Sequence, residues 1–285
     1  MTISLPLVRG GELAAHLCDE DLLVCDCRYV GDADSSRERY ESGHIPGAVH
    51  VYWLDDLAAA DTTVTTFLPS EGEAAAALGR LGIAHQRTVV AYADAGNLYA
   101  ARLWHVLTYY GHVHVALLDG GIEKWQAEGR PLERGASTPT PAIFQPRRSG
   151  GMEGITAAEL LARLDDRGLR LVDVRGRAEF SGEERRAARG GHIPGAVLWP
   201  WEENLQPDGA LRDPAEIQAR AKAAGLSPEH ELVTYCQGGV RAAHAALALR
   251  TAGYRRVRIY DGSWAEWGND PALPIETAVT REAAA

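Results

Sequence analysis

One cysteine in this chain sits where a thiolate could do chemistry. Leu232-Val233-Thr234-Tyr235 is an apolar run that reads as a strand and delivers Cys236; Gln237-Gly238-Gly239-Val240 is a short glycine-bearing loop, and an alanine-rich helix starts at about Arg241. Successive backbone N–H groups of such a loop, with the positive end of a helix behind them, form a nest for negative charge. An electropositive, open turn favours the thiolate, which is the nucleophilic form of cysteine. Arg241 at the end of the loop can grip an oxyanion through paired hydrogen bonds and help keep Cys236 ionised; the plainer alternative is an arginine pointing to solvent. A lone cysteine at a strand end is usually inert core, but the paired glycines and Arg241 favour the nucleophile. His244 lies eight residues past Cys236, about two helical turns on, so a Cys–His dyad is not expected.

Composition limits what surrounds this loop. The 285 residues fit two domains of ordinary size. A net charge of −10 argues against nucleic acid as a main partner. No apolar stretch reaches the length of a membrane span, and Met1 to Arg9 lacks the basic, apolar, small-residue order of a signal peptide. Four cysteines are not a disulfide framework, so a reducing cytoplasm is expected. Cys18, Cys25 and Cys27 lack the usual spacing of zinc ligands and read as core thiols, so no metal site is expected.

The chain repeats itself. Val24-Cys25-Asp26-Cys27-Arg28 matches Leu171-Val172-Asp173-Val174-Arg175, and Gly43-His44-Ile45-Pro46-Gly47-Ala48-Val49 matches Gly191-His192-Ile193-Pro194-Gly195-Ala196-Val197 without a change. Asp119-Gly120-Gly121 with Trp125 matches Asp261-Gly262-Ser263 with Trp267. Three matches in order, at nearly constant offset, mean two copies of one domain, placed at 1–143 and 144–285. Gly129 to Gly154 is rich in Pro, Gly, Ser and Thr, shows no periodicity and reads as a linker.

Each copy carries the same order of signals. In the second, a helix over Ala157 to Arg167 precedes a strand at Leu169 to Val174; strands follow at Ala196 to Trp199, before Cys236 and at Val257 to Tyr260, with helices at Pro214 to Ala224 and from Arg241 to Ala252. Alternating strands and helices predict an α/β domain with a mainly parallel sheet flanked by helices. Chemistry in such sheets lies beyond the carboxyl ends of the strands, where Cys236 falls.

The Asp-Val-Arg strand, the Gly-His-Ile-Pro-Gly-Ala turn, the Cys236 loop and the Asp-Gly-Ser-Trp-x-x-Trp ending together resemble a rhodanese domain, and the two copies resemble a tandem-domain sulfurtransferase. The resemblance implies that the C-terminal copy is catalytic and that Cys236 carries a persulfide between a small donor and an acceptor. The donor would be thiosulfate or 3-mercaptopyruvate; the acceptor would be cyanide, a thiol or a protein cysteine. No cofactor is called for. The backbone N–H groups of Gln237, Gly238, Gly239, Val240 and Arg241 should surround the persulfide anion. Some relatives supply an arginine near Arg189 to the donor's carboxylate or sulfonate; otherwise Arg189, with Arg185 and Arg186, is a solvated basic loop.

The first copy lacks the nucleophile, because Ala93 stands in the cysteine's place and Asp94 follows it. Residues that recur in this inactive copy are expected to be structural: Asp173 and Arg175, His192, and Asp261. Trp199, Trp201 and Trp264 either wall the pocket or pack the core. On donor preference the loop is ambiguous. Thiosulfate-preferring relatives tend to have a more basic loop, and many have Arg where Glu179 stands; mercaptopyruvate-preferring ones begin Cys-Gly. Arg241, where both commonly show Thr, tilts the reading to thiosulfate. A Cys-dependent phosphatase would need Cys-x5-Arg, whereas four residues separate Cys236 from Arg241. A binding scaffold would not need the intact loop, and a thioredoxin-like oxidoreductase would need a Cys-x-x-Cys that is absent.

Overall fold

The β-branched and leucine-rich runs of each half pair side by side, and every ladder is parallel. The computed structural model describes residues 6–60, 64, 66–148 and 154–277. Residues 1–5, part of the segment read for a leader, and 149–153, within the expected linker, lie outside the described residues. The chain divides into two compact units, Met1–Met152 with Leu205–Leu211, and Glu153–Asn204 with Arg212–Ala285.

In the first unit, strands β1 (Leu7–Val8), β2 (Leu22–Asp26), β3 (Val49–His50), β4 (Thr88–Tyr92) and β5 (Val115–Leu118) lie in the order β1-β5-β4-β2-β3. Val24, Val90, Ala116 and Leu118 pack with Ile122 and Trp125 in a buried cluster. In the second unit, β6 (Leu169–Asp173), β7 (Val197–Leu198), β8 (Glu231–Tyr235) and β9 (Val257–Ile259) lie in the order β7-β6-β8-β9. Here Leu171, Val233, Tyr235, Tyr260, Trp264 and Trp267 form the corresponding cluster. Burying each such side chain stabilises the fold by roughly 1.5–3 kcal/mol. The partner of β1 in the second unit shrinks to one parallel bridge, Gly154 to Ile259.

The helix expected over Ala157 to Arg167 stops at Leu161. Asp166 turns its carboxylate onto the Gly168 amide at 2.8 Å, an alternative to helix that short acidic side chains offer the backbone. The expected linker is no free tether over residues 129–148. Ser137 donates to Ala48 O at 2.8 Å, Ala142 N to Gly79 O at 2.8 Å and Arg147 N to Tyr110 O at 3.0 Å, while Phe144 is buried. Gly79 allows this close approach, since a Cβ there would lie 2.7 Å from Ala142 O. Among the described residues no helix is long and apolar enough to cross a membrane.

Candidate active site

Cys236 is the first residue past β8, at the carboxyl end of the second sheet, and only 1% of its surface is exposed. Gly239, with φ of 80°, turns the chain into the helix Val240–Thr251, a conformation that costs other residues steric strain. Ser263 holds the loop. Its hydroxyl accepts the amides of Cys236 at 3.1 Å and Gly239 at 3.3 Å and donates to Tyr260 O at 2.8 Å. The short helix Ser263–Trp267 adds two ties, Trp264 N to Cys236 O at 3.0 Å and Ala265 N to Gln237 O at 2.9 Å. Among the described residues, no acceptor takes the amides of Gln237, Gly238, Arg241 or Ala242. They are the donors left for an anion at the end of a three-turn helix.

Arg241 is not open to solvent. Its Nη1 and Nη2 donate to Glu179 Oε2 and Oε1 at 2.6 and 2.9 Å, a bidentate pair with side chains 16% and 5% exposed. Burial works against the charge of Arg241, but the hydrogen bond to Glu179 and the nearby Cys236 charge outweigh it and raise its pKa. Burial likewise opposes ionisation of Glu179, and Arg241 overrides it, so Glu179 titrates below the ordinary carboxylate range. Glu179 also receives the Gly176 amide at 3.3 Å and lies 3.8 Å from Arg186 Nε. Gln237 reaches the same neighbourhood by donating its side-chain amide to Arg186 O at 3.0 Å.

The recurring residues form a frame under the loop. Arg175 grips Asp173 through Nε and Nη2 and donates to Gly191 O at 2.7 Å, as Arg28 grips Asp26 and donates to Gly43 O at 2.7 Å. Tyr235 accepts the Ile193 amide at 3.1 Å, as Tyr92 accepts that of Ile45 at 3.1 Å. His192 stacks on Phe180 and bonds Phe180 O; His44 stacks on Tyr40 and bonds Tyr40 O.

Arg189 is held among backbone carbonyls. Its guanidinium donates to the carbonyls of Gly268, Leu273, Trp267 and Asp270, and its own carbonyl accepts Trp264 Nε1 at 3.1 Å. With Arg189 N donating to Gly268 O at 3.1 Å, these bonds brace residues 267–273. Trp199, Trp201 and Trp264 are all buried, Trp264 within the core cluster. His244 is buried against Trp201 at 5.0 Å between ring centres.

The first unit shows the same turn with Ala93 in the cysteine's place. The helices Leu98–Tyr109 and Val240–Thr251 are both 12 residues long, which aligns Tyr99 with Arg241 and leaves the Ala93 loop one residue longer. Asn97 Oδ1 accepts the Ala93 amide at 2.7 Å, and Ile122 N donates to Ala93 O at 3.0 Å. Glu123 takes the Ala95 amide at 2.9 Å, and Arg39 pairs with Asp94 at 2.8 Å. Side chains of the unit itself thus take two amides of this loop. All four cysteines are free; burial first, then nearby Asp26, pushes the Cys25 thiol well up, and burial does the same to Cys27. Among the described residues no group of three His, Cys, Asp or Glu could hold a metal ion.

A model of the rhodanese-like domain matches residues 10–128 and again 156–270. The chain belongs to the rhodanese family, as a tandem-domain sulfurtransferase. A probable 3-mercaptopyruvate sulfurtransferase of Pseudomonas aeruginosa is 39% identical over 281 residues, covering 96% of this chain and 99% of its own. A thiosulfate sulfurtransferase of Corynebacterium glutamicum is 40% identical over 253 residues, covering 84% and 81%. Among solved structures, the 3-mercaptopyruvate enzyme SseA from Escherichia coli superposes with a TM-score of 0.81 at 29% identity, over 90% of this chain and 98% of that one.

Two contributors to the sulfurtransferase loop, Ser263 and Glu179, leave only indirect marks in the sequence. Ser263 stands where the repeat has Gly121, and that difference is its signal in sequence. Glu179 and Arg241 depart in charge at separate positions, and the structure pairs them. Two departures of opposite sign are what a compensating ion pair looks like in sequence.

Proposed function

We propose that this sulfurtransferase moves sulfane sulfur from thiosulfate to a thiophilic acceptor through a persulfide on Cys236. The observation that carries the reading is the set of loop amides without acceptors around Cys236, closed by Arg241. The Cys236 thiolate attacks the outer sulfur of thiosulfate; a new S–S bond forms, the old one breaks, and sulfite leaves with the bonding pair. The persulfide anion then rests among the amides of Gln237, Gly238, Arg241 and Ala242, which stabilise negative charge before and after the step. A cyanide, small thiolate or protein cysteine attacks the outer sulfur and returns Cys236 as thiolate. Four residues between Cys236 and Arg241 suit a single sulfur, one residue short of a phosphatase cradle.

A second donor reading, 3-mercaptopyruvate, draws support from the Pseudomonas relative and from Glu179, which offsets the charge of Arg241. The first unit is proposed as non-catalytic, since Ala93 has no sulfur and Asn97 takes the Ala93 amide. Four free cysteines suit a reducing cytoplasm. Initial rates with thiosulfate and cyanide varied together test the reading: parallel double-reciprocal lines are expected, and converging lines would contradict a covalent carrier.

A further inference from the structure

The Arg241 fork is already occupied. Both terminal nitrogens face the Glu179 carboxylate, so a donor anion meets an ion pair beside Cys236, not a bare guanidinium. Glu179 also faces Arg186 at 3.8 Å and feels Arg175, while Arg186 is drawn to Glu184 at 2.6 Å and Glu202 acts on Arg241 from further off. Glu179 is 5% exposed, so water screens it poorly and its charge reaches whatever binds over the loop.

We propose that Glu179 is a positioning residue that sets donor preference: its carboxylate fixes the Arg241 guanidinium beside Cys236 and subtracts one charge from the donor site. Coulomb energy is proportional to the donor's own charge. Thiosulfate is a dianion and 3-mercaptopyruvate a monoanion, so Glu179 penalises thiosulfate twice as strongly in free energy. The fold-change for thiosulfate is then the square of that for 3-mercaptopyruvate. This rests on the sulfurtransferase reading of Cys236.

The test is single-turnover persulfide formation at varied donor concentration, giving a donor Kd and a limiting rate for wild type, Glu179→Gln and Glu179→Asp. Glutamine keeps one acceptor for Arg241 and removes the charge. The expected result is a Kd lowered about threefold for 3-mercaptopyruvate and about tenfold for thiosulfate. Glu179→Asp keeps the charge and should keep the wild-type ratio of the two donors. Equal shifts for both donors, or a ratio that moves in Glu179→Asp as it does in Glu179→Gln, would overturn the proposal. If Glu179→Gln does not fold, Arg241→Gln reads the same quantity with opposite sign: Kd rises for thiosulfate by the square of its rise for 3-mercaptopyruvate, and equal rises contradict it. Absence of any persulfide in wild type would instead sink the sulfurtransferase reading itself.

Discussion

The hydroxyl of Ser263 accepts the amide hydrogen of Cys236 at 3.1 Å, and with Gly239 it pins both ends of the reactive loop from outside. Asn97 ties the Ala93 amide at 2.7 Å from within its own loop. The two devices exclude each other. At Gly121, the first unit's counterpart of Ser263, a Cβ would lie 2.3 Å from Ala93 O and 3.0 Å from Asn97 Oδ1. A loop locked by Asn97 has no room for a serine there; a loop locked by Ser263 keeps its interior for sulfur.

Ser263→Ala should therefore damage the loop more than a lost hydroxyl elsewhere. It strands two amides in a buried site, at a cost of about 1–3 kcal/mol for each. A lower Tm together with slower persulfide formation is expected. Wild-type rates at a lowered Tm would mean that the hydroxyl serves stability alone.

Arg241→Ala and Arg28→Ala should separate chemistry from scaffold. Arg28 is 5% exposed and is held by Asp26 and Gly43 O, so its loss leaves a buried carboxylate unpaired and destabilises by about 3–5 kcal/mol. Arg241→Ala should weaken donor use more than Arg28→Ala when both are assayed below their unfolding temperatures. Equal losses would show that Arg241 is scaffold as well.

Acid sensitivity of the first unit should come in part from His112. Burial, then His85 and His114, lower its pKa from 6.5 to about 4, so the folded protein holds it neutral. The unfolded chain takes up its proton once the pH falls below about 6.5, so the contribution is complete above that pH and lost progressively down to about 4. The loss amounts to about 3 kcal/mol. Denaturant titrations at pH 7 and pH 4.5 should show a smaller difference for His112→Asn, which keeps an acceptor for the His114 amide. An unchanged difference would exclude His112 as a source.

Much of this was legible in the residues. The repeated Asp-x-Arg and Gly-His-Ile-Pro-Gly-Ala segments announced two copies because each makes bonds to its own copy's backbone, and such ties tolerate little change. Alternation of apolar runs with alanine-rich helices gave the parallel sheets, since period and length carry that signal. What stayed hidden depends on contacts distant in sequence. Glu179 meets Arg241 across 62 residues, and Arg189 meets the 267–273 carbonyls across about 80. Composition made 129–148 look like a tether, because backbone bonds such as Ala142 N to Gly79 O leave no mark on side-chain types.

The most direct test is intact mass after separate exposure to thiosulfate and 3-mercaptopyruvate, for wild type and Cys236→Ala. Cys236→Ala should fold, because Ala93 already occupies the matching buried position in the first unit. One added sulfur in wild type and none in the variant is the predicted result. Sulfur retained by Cys236→Ala, or none gained by folded, reduced wild type from either donor, would contradict the account.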